Sequence, residues 1–208
     1  MSSVRVVEHP VLQEALARLR DKATKPAEFR RLMADAGLIL GLAALEKLKT
    51  APGRVDTPLK SAKAERIAQP VALVAILRAG LGLLPKLTEL LPDAAAGHIG
   101  LYRNEETLNP IRYYVRLPKR LPDTKTLLFD PMLATGGSAA EAIRILKTDG
   151  AREITLVSLL ATKAGVKRVQ REHPAVAIVT AAVDPVLNKH GYIVPGLGDA
   201  GDRIFGTL

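Results

Sequence analysis

The sequence predicts an α/β fold built on a parallel sheet with helices on both faces. Short apolar runs without polar alternation, "VALVAIL" at 71–77 foremost, read as strands buried on both sides. Helical patterns follow such runs, as "GGSAAEAIRILKTDG" follows "TKTLLFD". The strand ends are also abrupt. "LLFDPMLATGGSAAEAI" (127–143) passes from apolar to acidic to glycine-rich to helical, a stop that serves a ligand or a turn.

In chain order, the first third reads as helix. "HPVLQEALARLRD" sets Leu12, Leu16 and Leu19 on one face with charges opposite. "PAEFRRLMADAGLILGLAALEKL" (26–48) is longer, and Pro26 suits a first helical position. Its second half is apolar nearly all round, so it needs burial on more than one side. After the strand 71–77, "LGLLPKLTELLP" reads as one helix. "HIGLYR" (98–103) and "PIRYYVRLP" (110–118) read as strands flanking the polar turn "NEETLN". The strand 124–130 leads to a helix closed by Gly150. "EITLVSLLAT" and "AVAIVTAAVD" are two further strands, with a helix around 164–171 between them. In a sheet of this kind ligands bind at the carboxyl ends of the strands, which marks the loops after Leu77, Phe129 and Val183.

Bulk properties narrow the function. With 208 residues, 48% hydrophobic, no repeat and no interdomain linker, residues 1–208 are expected to form a single domain with a real core. No apolar run reaches the ~18 residues of a membrane span, and "MSSVRVVEHP" has no long apolar stretch of the secretory type. The expected address is the cytoplasm, with no membrane partner. The absence of cysteine excludes disulfides, thiolate metal sites and thiol nucleophiles. A net charge of +9 suits nucleic acid, an acidic membrane or a phosphorylated substrate, or simply keeps the chain soluble. Aromatic residues are only 3%, too few for the stacking platforms of single-strand binders, which favours a small anionic substrate.

Thr135, Gly136, Gly137 and Ser138 lie between a strand end and a helix start. Backbone N–H groups there converge, the helix dipole favours an anion, and glycine lets the backbone approach closely. No Gly-Lys-Ser/Thr follows, so this is not a Walker A loop. Asp130 would repel a phosphate and suits adjacent sugar hydroxyls, so the segment fits a ribose 5-phosphate. The alternative is a turn capped by Ser138. Arg78, in "ILRAGLG", stands just past a buried strand and can reach a ligand or turn to solvent. Arg103 precedes an acidic turn, where Glu105 and Glu106 could occupy it. Gly196, Gly198 and Gly201 spell G-x-G-x-x-G, but only seven residues follow, too few for a dinucleotide site. What remains is a glycine-rich loop whose backbone could read a small planar molecule, or a coil with solvated Asp199 and Asp202. His9, His98, His173 and His190 have no metal-ligand spacing and read as structural or solvent-facing.

"DPMLATGGS" resembles the phosphoribosyl diphosphate signature of the type I phosphoribosyltransferases, and "ILRAGLG" resembles their pyrophosphate loop. "GHIGLYRNEETLNPIRYYVRLP" and "YIVPGLGDAGDRIFGT" are similar to segments of the uracil branch of that family, as is "FRRLMADAG". The resemblance implies their fold: a parallel-sheet core flanked by helices, with N-terminal helices and a β-arm. It implies transfer of a phosphoribosyl group from phosphoribosyl diphosphate to uracil, giving UMP and diphosphate. Arg78, Arg103, Asp130 and Asp199 would be catalytic. The same four with Pro131, Met132, Leu133, Ala134, Thr135, Gly136, Gly137 and Ser138 would hold phosphoribosyl diphosphate. Ile193, Gly198, Asp199 and Ala200 would hold uracil. Magnesium would arrive with the diphosphate, with no metal held by the protein itself, and some family members bind GTP as an allosteric activator. Most of the wider family carries two adjacent acids before the Thr-Gly-Gly; here Asp130 is followed by Pro131, leaving one carboxylate for the ribose. The rivals are a regulatory RNA-binding protein on the same fold and a transferase for hypoxanthine or another base.

The apolar stretch of 26–48, with Leu38, Ile39, Leu40, Leu42 and Leu45, predicts a homodimer or larger assembly. Sedimentation at micromolar concentration should give at least twice the mass of one chain; a monomer there would contradict it.

Overall fold

The computed structural model describes residues 4–103 and 110–207, with the side chain of Arg103 excepted. The turn "NEETLN", with Glu105 and Glu106, lies outside the described residues. The elements run β1 (Val4–Val6), α1 (Pro10–Arg20), α2 (Pro26–Leu45), β2 (Thr50–Asp56), β3 (Ser61–Ile67) and β4 (Val71–Leu77). A 3-10 turn over Ala79–Leu83 leads to α3 (Pro85–Leu90), β5 (Ala95–Arg103) and β6 (Pro110–Arg116). A second 3-10 turn over Leu121–Asp123 precedes β7 (Lys125–Phe129), β8 (Met132–Leu133), α4 (Gly137–Thr148), β9 (Glu153–Thr162) and α5 (Lys163–Glu172). β10 (Ala177–Asp184), β11 (Val186–Leu187), β12 (Ile193–Val194) and α6 (Ala200–Phe205) complete the chain.

The main sheet has the order β1-β10-β9-β7-β4-β5-β6, with β8 pairing β9. Every pairing in it is parallel except β5–β6. Both faces are covered, which is why the central strand β4 reads as an unbroken apolar run and its neighbours β7 and β9 as largely apolar ones. Leu73, Ala75, Leu127, Phe129 and Val157 point to one core, shared with α1, α2, α3 and α6. Ala72, Val74, Ile76, Leu128 and Leu156 point to the other, shared with α4 and α5.

The first third is not all helix. β1 is three residues long and exists by pairing in parallel with β10 at the sheet's edge, so it carries no pattern of its own. β2 and β3 form a separate antiparallel hairpin of mixed polarity. Its turn is held by Thr57, whose Oγ1 accepts from Leu59 and Lys60 backbone N–H groups at 3.2 and 3.1 Å. The helix expected over "LGLLPKLTELLP" is two pieces, because Pro85 has no N–H to continue the first and opens the second at its N-terminus.

The long helix α2 ends at Leu45 and is covered mostly from within the chain. Phe29, Met33, Leu40 and Leu45 join the core, and Leu38 and Ile39 pack partly against it. Leu42 is 48% exposed, so the apolar surface left for a second copy is narrower than the sequence pattern implied. A Cβ added at Gly37 would overlap the carbonyl of Leu83, so glycine lets α2 press against the 3-10 turn that follows β4. Gly37→Ala should therefore cost about 3 kcal/mol, the upper part of the usual overpacking range. Thermal unfolding should show it as a fall in Tm of roughly 6–12 °C.

Candidate functional site

Two strand ends and the C-terminal segment converge at the carboxyl edge of the sheet. β7 stops at Phe129, and the next residue, Asp130, is held by its backbone: its N–H donates to the Val157 carbonyl at 3.1 Å and its carbonyl accepts from the Ser158 hydroxyl. Pro131 offers its carbonyl to the N–H groups of Leu159 and Leu160 at 3.1 and 2.9 Å. β8 then pairs with β9. The Ala134 carbonyl accepts from the Thr162 hydroxyl at 2.6 Å, and that hydroxyl accepts from the Gly165 N–H at 3.0 Å, capping α5. The loop between β7 and α4 is thus a backbone strapped to its neighbours along most of its length.

At its end the chain turns sharply into α4. Gly136 has φ +78° and is the N-cap, so Ser138 lies inside the helix and does not cap it. α5 presses on this turn: a Cβ on Gly136 would come 2.8 Å from the Gly165 carbonyl, and one on Gly165 would come 2.6 Å from the carbonyls of Leu133 and Ala134. The first amides of α4 have no intrahelical partners, and that of Gly137 donates to the Thr135 hydroxyl at 3.5 Å. Arg168, one turn into α5, brings its guanidinium within 3.1 Å of where a Gly137 Cβ would stand.

Two adjoining cavities lie here. One of about 160 Å³ is walled by Arg78, Leu101, Asp130, Thr135, Gly136, Gly137 and Ser138, among others. One of about 790 Å³ is walled by Asp130, Pro131, Met132, Ala134 and Ser138 on one side, and by Ile193, Gly198, Asp199 and Ala200 on the other. Asp130, Met132, Ala134 and Ser138 belong to both. Of the residues singled out from the sequence, Leu133 lines neither cavity, since its side chain is in the core behind α4. Arg103 ends β5, and its side chain lies outside the description.

Arg78 follows β4 across a cis Leu77–Arg78 peptide bond. Its guanidinium meets Asp202 at 3.3 Å and lies 5.5 Å from the Phe205 ring centre, both on α6. Asp202 is therefore no solvated bystander: it holds the arginine at the rim. Asp199 caps α6, its Oδ1 accepting the Asp202 N–H at 3.0 Å. The C-terminal glycine-rich segment is ordered structure, with β12, a cis Val194–Pro195 bond and α6 in succession.

His190 is exposed, as the sequence reading had it, and lines the larger cavity beside Lys189, Gly191 and Tyr192. Their turn is fixed by Asn188, whose Oδ1 accepts from the His190 and Tyr192 N–H groups at 2.9 and 3.0 Å. Only the closeness of these residues to Ile193 could have marked them. His173 is structural: its Nε2 bonds to the Ala140 carbonyl at 2.9 Å, and burial pulls its pKa below the usual range. Arg20, Asp184 and Arg203 also escaped the sequence reading. Arg203 donates to the carbonyls of Leu19, Leu197 and Asp21 and lies over the Phe29 ring at 4.3 Å. Among the described residues no group of three or more His, Cys, Asp or Glu could hold a metal ion, and no helix is long and apolar enough to cross a membrane.

Residues 6–207 match the family model described as uracil phosphoribosyltransferase. A Paracoccus denitrificans protein named uracil phosphoribosyltransferase is 50% identical over 97% of this chain and 96% of its own length. A Thermus thermophilus protein of the same name is 46% identical over 98% and 99%. The solved AQ2163 protein of Aquifex aeolicus superposes with a TM-score of 0.93 at 33% identity, covering 98% of each chain. The Trypanosoma brucei adenine phosphoribosyl transferase, at 13% identity and a TM-score of 0.60 over 88% of this chain and 84% of its own, shares the fold.

The Arg78–Asp202 pair is more than half exposed on the arginine side, and exposed pairs are worth at most about 1 kcal/mol. Asp202→Asn should free Arg78 for an anion and tighten inhibition by pyrophosphate, by no more than about fivefold. A weaker inhibition constant in the variant would show that Asp202 orients the arginine and does not compete for it.

Proposed function

We propose that this chain, which belongs to the uracil phosphoribosyltransferase family, transfers the phosphoribosyl group of phosphoribosyl diphosphate to uracil, giving UMP and diphosphate. The observation that carries the residue assignment is the shared wall. Asp130 stands in both cavities, between a cradle of backbone amides and a pocket bordered by the backbone of the C-terminal segment. A ribose placed against Asp130 has its 5-phosphate on one side and its C1 facing the other.

Thr135, Gly136, Gly137 and Ser138 hold the 5-phosphate through the first turn of α4, where N–H groups and helix dipole favour an anion. Asp130 accepts from the ribose 2- and 3-hydroxyls, and Pro131 to Ala134 shape the wall beneath them. Uracil stands in the larger cavity against the backbone of Ile193, Gly198 and Ala200, with Asp199 beside the sugar. The bond from C1 to the diphosphate oxygen breaks, and the bond from C1 to uracil N1 forms. The departing oxygen takes up negative charge, and the proton that N1 loses balances it on the released diphosphate. Arg78 and Arg103 meet the diphosphate with forked guanidinium donors, so stabilisation falls where charge develops. Holding phosphate, sugar and base in one geometry lowers the entropic part of the barrier.

Magnesium, when bound, shields the diphosphate charge and makes it a better leaving group. Asp130 is the one loop carboxylate that could meet such an ion, because proline stands after it where most of the wider family carries a second acid, so the ion is taken to come with the substrate. The reading treats residues 1–208 as one catalytic unit in the cytoplasm, assembled as a homodimer or larger, with GTP response left to the assembled form. An RNA-binding regulator on the same fold would bind a pyrimidine-operon leader RNA in a salt-dependent way, which this reading does not expect.

The direct test is UMP formation from uracil and phosphoribosyl diphosphate, with and without magnesium. Uracil should be strongly preferred over cytosine, whose amino group would meet a backbone N–H with another donor; equal turnover of the two bases would overturn the pocket assignment. Asp130→Asn should lower kcat/KM by about tenfold or more, since charge-assisted hydrogen bonds to hydroxyls are lost, while Tm stays within about 2 °C, as expected of a change under 1 kcal/mol in stability. An unchanged kcat/KM would leave Asp130 as a turn residue only.

A further inference from the structure

Gly196 lies midway in the segment that borders the larger cavity, between Ile193 and Gly198, yet it faces the body of the protein. Both of its backbone polar groups are taken by side chains. Its N–H donates to Asp184 Oδ2 at 2.9 Å, and its carbonyl accepts from Arg20 Nη1 at 2.9 Å. Arg20 and Asp184 are themselves joined by a two-pronged pair, Nη1 to Oδ2 at 2.8 Å and Nη2 to Oδ1 at 2.7 Å. The three residues close a ring. Arg20 ends α1, Asp184 ends β10, and Gly196 belongs to the loop after β12.

The ring is stiff for three reasons. Asp184 is only 5% exposed, so its charge has little water to turn to. Gly196 has φ +59°, and a Cβ there would overlap the Ile193 carbonyl, so the loop is folded tightly on itself at this point. Arg203 fixes the next peptide, donating to the Leu197 carbonyl at 2.8 Å while also binding the end of α1. The same helix end is therefore tied to the loop twice, and no contact in the ring faces the cavity.

We propose that Arg20 and Asp184 are positioning residues for the base: they hold the backbone of 193–198 at the height and angle at which it reads uracil. The proposal rests on the assignment of uracil to the larger cavity. Backbone recognition has no side chain to readjust, so a displaced loop loses base affinity and discrimination together. The 5-phosphate cradle hangs on Thr162 of β9, the backbone register partner of Asp184, but it is bonded through the Thr162 hydroxyl and not through the side chains of the ring, so side-chain changes in the ring should leave it in place.

The test compares Asp184→Asn and Arg20→Lys with the wild type and with Leu12→Ala, a core variant in the same helix. Steady-state kinetics are read for both substrates and for uracil against cytosine. Arg20→Lys keeps a charge but loses the fork, so it tests the geometry even if Asp184→Asn fails to fold. Both variants should raise the uracil KM between about tenfold and a hundredfold. The phosphoribosyl diphosphate KM should stay within about twofold, and the preference for uracil over cytosine should fall. Leu12→Ala should lower Tm without that selective change. Parallel shifts in both KM values, or an unaltered base preference, would overturn the proposal and leave the ring purely structural. A wild type that forms no UMP would instead overturn the functional assignment itself.

Discussion

The site depends on the hydrogen bonds that fasten residues 130–134 to β9. The loop is held by backbone groups of both kinds: the Asp130 and Ala134 N–H groups donate to the Val157 and Met132 carbonyls, and its own carbonyls reach outward. Here the carbonyls of Asp130, Pro131 and Ala134 are all spent on β9 or its extension, through Ser158, Leu159, Leu160 and Thr162. Gly136, Gly137 and Ser138, at the start of α4, line the smaller cavity. Thr162 performs two tasks with one hydroxyl, capping α5 and holding the loop. The close packing of Gly165 on Leu133 and Ala134 leaves the strap no slack.

The basic residues divide by what they touch. Arg20 and Arg203 are spent on backbone carbonyls and a buried carboxylate, and they hold the C-terminal segment to α1 and α2. Burial by itself would raise the Asp184 carboxyl. The hydrogen bonds from Arg20 and Gly196 and the guanidinium charge outweigh it and hold the group below the usual range. Arg78 and Lys189 stand at the cavities instead, with Asp202 as the partner that holds Arg78 at the rim. A net charge of +9 therefore overstates the surface offered to an anion, since part of it is internal fastening.

The two cavities follow from this division. One is bordered by a helix N-terminus and suits a phosphate, and the other by glycine-rich backbone and suits a flat polar ring. Asp130 is common to both, which is why the proposed function places the ribose against it. The large cavity also admits Lys189, His190 and Tyr192, which stand with Asp130, Ser138 and Asp199 along its wall.

By itself the sequence determined the layered architecture and the glycine turn into α4. β4 is an unbroken apolar run, and β7, β9 and β10 are apolar apart from a few Thr and Ser and charged end residues, because both faces of the sheet are covered, and that burial is written into residue type. Gly136 at φ +78° and the helix start beside it were legible because few residues but glycine tolerate that turn. Tertiary structure alone decided the rest. β1 and the β2–β3 hairpin exist through pairing, and pairing depends on a partner strand that local pattern does not encode. Pro85 divided an apolar stretch whose periodicity ran straight through it. The ring of Arg20, Asp184 and Gly196 spans positions far apart in the chain, and the pairing of Arg78 with Asp202 does too. Such contacts form only when the sheet brings strand ends and helix ends to one edge. An isolated arginine or aspartate in a sequence says that a charge is present, and the fold says what it is spent on.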